Sequence, residues 1–185
     1  MTVAELPVTP VTPVTLPVPA VEHEGETKPK SLAFICYSGD LEKTWAGMIL
    51  ASTAGAMWMP TKVFVTFWGL QTFVKDGRRI TGDNWMQKML SMMSRPGIAH
   101  SKLSKMNFLG MGPWMMRKLA KQYNVSSPKE LMEMAQALGV EFIHCQMTMD
   151  LFGIKREDLI EGMGEPVGAA TYLGFVAEGA SPIFI

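Results

Sequence analysis

The sequence predicts an α/β fold built on a mostly parallel central sheet, and three observations carry that prediction. Short apolar runs recur along the chain, at Leu32-Ala33-Phe34-Ile35-Cys36-Tyr37, Val63-Phe64-Val65-Thr66-Phe67 and Val140-Glu141-Phe142-Ile143-His144-Cys145. Segments of helical character separate them. The runs are close to continuously apolar, as expected of parallel strands covered on both faces.

Residues 1–30 alternate Val, Pro and Thr before turning charged from Glu22 to Lys30. Repeated prolines remove N–H donors and favour extended geometry, so a disordered tail is expected, followed by one domain over residues 31–185. After the first strand, Ser38-Gly39-Asp40 reads as the turn into a helix from about Leu41 to Met57, ended by Pro60 before the second strand. Strand, helix, strand implies a parallel pair with a right-handed crossover.

Between about Lys75 and Tyr123 the pattern is irregular and holds eight of the chain's 17 methionines, at 86, 89, 92, 93, 106, 111, 115 and 116. This stretch reads as a Met-rich helical insertion or lid. Ser127-Pro128-Lys129-Glu130 then opens a helix, with serine as N-cap, proline at the first helical position and glutamate completing a capping box. Leu131, Met134, Ala135 and Leu138 face one way, and Gly139 stops the helix. Beyond the third strand we expect a short helix near Lys155–Glu161, a glycine-rich turn, a helix over about Val167–Glu178, and a last strand at Pro182-Ile183-Phe184-Ile185. The whole is a three-layer sandwich around about five strands, Rossmann-like or flavodoxin-like.

Lys plus Arg equals Asp plus Glu at 17 each, so no net charge draws the chain to nucleic acid, which is excluded as a partner. The apolar stretch Ala46–Met59 is shorter than a bilayer span. Membrane association is left open and not predicted. Two cysteines, each in a strand-like run, and no signal peptide fit a cytoplasmic location.

Cys145 is the leading chemical candidate because it lies where a parallel strand ends, the edge at which open α/β sheets hold ligands. A helix start beside it would favour the thiolate. From position alone it is equally a small buried hydrophobe. Gln146, Thr148 and Asp150 are the candidate ligand contacts, Gln146 and Thr148 otherwise satisfying the loop backbone and Asp150 capping the following segment, and Ser38 and Gly39 are placed to line a pocket. Cys36 reads as structural, with a Cys36–Cys145 dithiol as the lesser alternative. His144 points to the opposite face from Cys145 and is no base for it. His23 and His100 complete no metal-ligand spacing, so neither a metal nor a cofactor is expected. Gly110-Met111-Gly112-Pro113 and Gly162-Met163-Gly164 read as turns and not as phosphate loops. The methionines and aromatics of the insertion, such as Trp85, Met86, Met89, Met92, Met93 and Trp114, suit a subunit interface or a cover over Cys145.

From Ser31 to Ile185 the chain resembles the DsrE/DsrF-like sulfur-carrier family, and within it the subgroup often labelled peroxiredoxin family protein. The segments that carry the resemblance are Tyr37-Ser38-Gly39-Asp40-Leu41, Phe64-Val65-Thr66-Phe67-Trp68-Gly69-Leu70, Gly110-Met111-Gly112 and above all Cys145-Gln146-Met147-Thr148-Met149-Asp150-Leu151-Phe152-Gly153-Ile154. The resemblance implies oligomers, sulfur donor and acceptor proteins as partners, and sulfane sulfur held on Cys145 by a sulfurtransferase-like carrier that turns over or acts stoichiometrically. Cys36 departs from the family pattern and inherits no role. Peroxidase activity is not expected, since no threonine and arginine partners in a thioredoxin-like setting surround Cys145. The rival readings are a non-catalytic adaptor docking a membrane or partner subunit through the Met/Trp-rich insertion, and a flavodoxin-type binding module, which lacks its phosphate loop.

Overall fold

A computed structural model describes residues 30–78, 80, 82, 84–93 and 96–185, with the backbone alone at 91–93. The expected tail through residue 29, and the side chains of Met92 and Met93, lie outside the described residues. Five strands form one sheet in the order β4-β3-β2-β1-β5, from β1 (Leu32–Cys36), β2 (Thr61–Val65), β3 (Glu141–Cys145), β4 (Met163–Val167) and β5 (Ser181–Phe184). Every pairing is parallel. The seven helices described are α1 (Leu41–Ala56), α2 (Phe67–Thr72), α3 (Trp85–Met93), α4 (Met111–Gln122), α5 (Pro128–Ala137), α6 (Gln146–Phe152) and α7 (Ala169–Ala177).

The strand alternation sorts the core into two clusters. Phe34, Val63, Val65 and Phe142 meet Met48 and Ala51 of α1 and Met132 and Ala135 of α5 on one face. Ala33, Phe64, Ile143 and Cys145 meet Tyr172 of α7 on the other. The Tyr172 hydroxyl donates to the Ala33 carbonyl at 3.1 Å, which satisfies a polar tip in an apolar layer. The predicted three-layer α/β architecture is therefore the one found.

Several local expectations are corrected. Gly162-Met163-Gly164, read as a turn, leads into β4, an edge strand that tolerates Pro166 because it has a partner on one side only. The helix expected from Val167 therefore starts at Ala169. The helix expected near Lys155 is a single 3₁₀ turn, Arg156–Asp158. β2 ends at Val65, and Phe67 already begins α2. Gly110-Met111-Gly112-Pro113 is the entry to α4, with Gly110 left-handed at φ 98° and Pro113 in the first turn, where a missing N–H costs nothing. The α5 capping box forms as expected, Ser127 Oγ accepting from the Glu130 N–H at 3.3 Å and Glu130 accepting from the Ser127 N–H at 2.7 Å.

Candidate functional site

β3 delivers Cys145 to the C-terminal edge of the sheet, and α6 starts at the very next residue, so Cys145 occupies the N-cap position of that helix. Its backbone is extended (φ −77°, ψ 116°), the usual N-cap conformation. No close cap bond is made by the side chain; instead donors stand around the sulfur. Burial, the largest influence, works against ionisation of the thiol. The hydroxyl and N–H of Thr148, the hydroxyl of Thr66 and the N–H of Met147 act in the other direction and together hold Cys145 below the ordinary thiol value.

Thr66 directly follows β2 and Thr148 lies in the first turn of α6, and the two are fixed against each other. Thr66 Oγ1 and Thr148 Oγ1 lie 3.0 Å apart, and Thr148 Oγ1 accepts from the Phe67 N–H at 3.1 Å. With that backbone donor on one acceptor position and the Thr66 hydroxyl donating to the other, Thr148 can turn its own proton to the sulfur. Phe67 makes the contact from a left-handed conformation, φ 46°, which a residue with a Cβ adopts at a cost. Gly69 lets the turn close: its N–H donates to the Tyr37 carbonyl at 2.9 Å, and a Cβ there would strike the Cys36 carbonyl oxygen. Trp68 of the same turn packs on Phe152, ring centroids 5.1 Å apart, tying the start of α2 to the last residue of α6.

The second thiol is placed differently. Cys36 pairs in register with Val65, and Val65 with His144, so two inter-strand steps separate it from the Cys145 strand. It belongs to the opposite core cluster, and burial pushes its thiol up to about 12. Two strand spacings of about 4.8 Å exceed the reach of a disulfide, so the Cys36–Cys145 dithiol is ruled out in this fold. His144 shares the Phe142 face, away from Cys145, as the alternation predicts; it is fully buried, and neither ring nitrogen has a hydrogen-bond partner among the described residues.

Of the other expected site residues, Thr148 alone joins Cys145. Gln146 and Asp150 bond each other at 2.8 Å on the exposed side of α6. Ser38 and Gly39 line a separate cavity of about 410 Å³ with Lys43, Trp68, Gln71 and His100, beyond the end of β1. There Ser38 donates to Asp40, which also pairs with Lys43 at 2.8 Å. Thr66 and Phe67 were not singled out by the sequence, because they reach Cys145 across some 80 residues of chain. Among the described residues no three His, Cys, Asp or Glu side chains gather as a metal site. No described helix is long and apolar enough to cross a membrane.

Fold and site together define an α/β protein with one polarised cysteine at the edge of a parallel sheet, next to a helix start and, among the described residues, with no histidine beside it to act as base. Residues 28–184 match the DsrE/DsrF/DrsH-like family. The chain belongs to that family. It is 36% identical over 156 residues to the Bacillus subtilis protein YrkE, described as uncharacterized, covering 84% of this chain and 97% of that one. It is 35% identical over 159 residues to the sulfur carrier protein DsrE2 of Allochromatium vinosum, covering 84% and 98%. Among solved structures, the Methanobacterium thermoautotrophicum protein of unknown function MTH1491 superposes with a TM-score of 0.44 at 14% identity, over 84% of this chain and 99% of that chain.

Proposed function

We propose that this protein is a sulfur carrier that holds sulfane sulfur on Cys145 and passes it to an acceptor thiol. The observation that carries the reading is the set of donors around the Cys145 sulfur, which favours a thiolate without a base; membership in the family and the similarity to a protein named as a sulfur carrier support it. In the step proposed, the thiolate attacks the outer sulfur of a persulfide or polysulfide donor. A new S–S bond forms on Cys145, the donor's S–S bond breaks, and the donor thiolate leaves. An acceptor thiolate then attacks the outer sulfur, and Cys145 leaves as thiolate. The exchange is redox-neutral and needs no cofactor. With tetrathionate or a protein S-thiosulfonate as donor, the thiolate attacks the sulfur that bears the sulfonate. An S-thiosulfonate forms on Cys145 as the S–S bond on the far side of that sulfur breaks, and thiosulfate or the donor thiolate leaves.

Cys145 is only 5% exposed, so loading requires α6 or its neighbours to open, which suits handover inside a complex with donor and acceptor proteins better than reaction with any thiol in bulk. Two free cysteines on opposite faces of the sheet accord with a reducing, cytoplasmic setting. Homo-oligomer formation belongs to this reading; α7 has no charged residue and leaves Leu173 60% exposed, an apolar surface suited to a second copy.

The test is intact-mass analysis of reduced protein after exposure to polysulfide or tetrathionate. Wild type and Cys36→Ser gain sulfur and lose it to added dithiothreitol, whereas Cys145→Ser gains none. An adduct on Cys145→Ser, or none on wild type, ends the proposal.

A further inference from the structure

From Asn84 to Lys129 the chain contains eight Lys and Arg residues and not one Asp or Glu, while the rest of the chain holds nine cations against seventeen acids. A chain of zero net charge therefore carries all its excess positive charge in one stretch. Within it, α4 turns its apolar face outward: Pro113 is the only buried residue of this twelve-residue helix. Met111, Trp114, Met115 and Leu119 are each more than half exposed. Their spacing of three and four residues puts them on one side of the helix. The exposed Lys118 and Lys121 flank that side, and Lys118 Nζ stands 5.1 Å from the Trp114 ring centroid. The turn before the helix extends the surface. Phe108 is 64% exposed, and Leu109 is wholly exposed in a left-handed conformation at φ 54°.

We infer that α4 and the Phe108–Gly110 turn form a peripheral docking surface for an anionic lipid bilayer. A helix that lies in the interface needs an apolar face with tryptophan, phenylalanine or leucine, a basic flank and no acids, and it spans nothing. All of these are present, and about 18 Å of helix axis lies parallel to the surface it would meet. Lys118 and Lys121, exposed beside the apolar face, select anionic over zwitterionic headgroups. The surface does not use Cys145, so the inference stands apart from the sulfur-carrier reading; docking would station the carrier at a membrane where a partner protein resides.

The experiment is flotation of the full chain with vesicles of phosphatidylcholine alone and of phosphatidylcholine with phosphatidylglycerol. Wild type and Cys145→Ser float with the anionic vesicles, stay behind with the neutral ones and are released by high salt. Leu109→Asp and Trp114→Asp, both at exposed positions, abolish flotation with unchanged circular dichroism. Lys118→Gln with Lys121→Gln weakens partition roughly 25-fold, about five-fold for each cation lost. Sedimentation velocity of wild type and Leu109→Asp, without lipid, reads the other occupant: equal assembly size sustains the inference, and a smaller assembly in the variant overturns it by making the face a contact between copies. Absence of flotation by wild type, or flotation indifferent to these substitutions, also overturns it.

Discussion

Thr148 is the residue through which the surroundings of Cys145 act most directly, because it offers both a hydroxyl and an N–H to the sulfur and is itself oriented by the Phe67 N–H. Thr148→Val keeps the shape and the N–H but removes the hydroxyl. The thiol should then ionise at higher pH, and iodoacetamide should alkylate Cys145 more slowly at neutral pH, by roughly an order of magnitude, the worth of one charge-assisted hydrogen bond. Thr66→Val should move the rate in the same direction by less, and Thr148→Ser should restore it. A Thr148→Val rate equal to wild type would leave the hydroxyl without influence. Cys36 is an internal control for the Thr148 variants, since burial alone sets its thiol; Thr66 meets Cys36 through backbone only, its N–H donating to the Cys36 carbonyl at 3.0 Å. Cys145 and Thr148 could be read from the sequence because they are three residues apart on one strand-to-helix junction. Thr66 could not, because only the β2–β3 pairing brings it there.

At the level of elements, what was legible follows from how much of each signal is local. β1, β3 and α5 announce themselves through apolar runs and a capping box, each contained in a few residues. β4 does not: Met163-Gly164-Glu165-Pro166-Val167 has two strand-breaking residues, and it is a strand because β3 offers a free edge. α2 was hidden because six residues containing a glycine have little propensity of their own; the backbone approach at Gly69 makes it possible. Gly69→Ala should therefore cost about 1–3 kcal/mol, as overpacking against rigid backbone does, and should also slow Cys145 alkylation, because α2 carries the Phe67 donor. Ser127→Ala makes the contrast. Loss of its capping box should cost about 1 kcal/mol in urea denaturation and leave Cys145 reactivity unchanged, since α5 packs on α1 and touches nothing at the site. If both substitutions altered reactivity alike, the cradle would be responding to global stability and not to the β1–α2 contact.

For the molecule as a whole, the sheet separates two titrating groups that neighbour each other in sequence. Cys145 faces α7 and is biased toward its charged form, whereas His144 faces the opposite core and is biased toward its neutral form. Burial is the main cause of the lowered imidazole value; Arg156 adds to it, and Glu165, which is paired with Arg156, partly offsets it. An imidazole whose folded value lies below its unfolded one binds fewer protons when folded, so its contribution is fully present above the unfolded value of about 6.5 and is lost as pH falls toward the folded value. The protein should therefore lose stability on acidification in a window that begins near pH 6.5, above the range of about 4 in which carboxylates ordinarily protonate. His144→Leu fills the same apolar layer without a titrating group, and it should flatten the dependence of the urea midpoint on pH between neutral and about pH 5 while leaving the steeper loss below that intact. Parallel curves for the two proteins across that window would show that His144 is protonated equally in the folded and unfolded chains, and would place the acid sensitivity elsewhere. The same substitution should leave the Cys145 alkylation profile unmoved, because the histidine and the thiol project from opposite faces of β3.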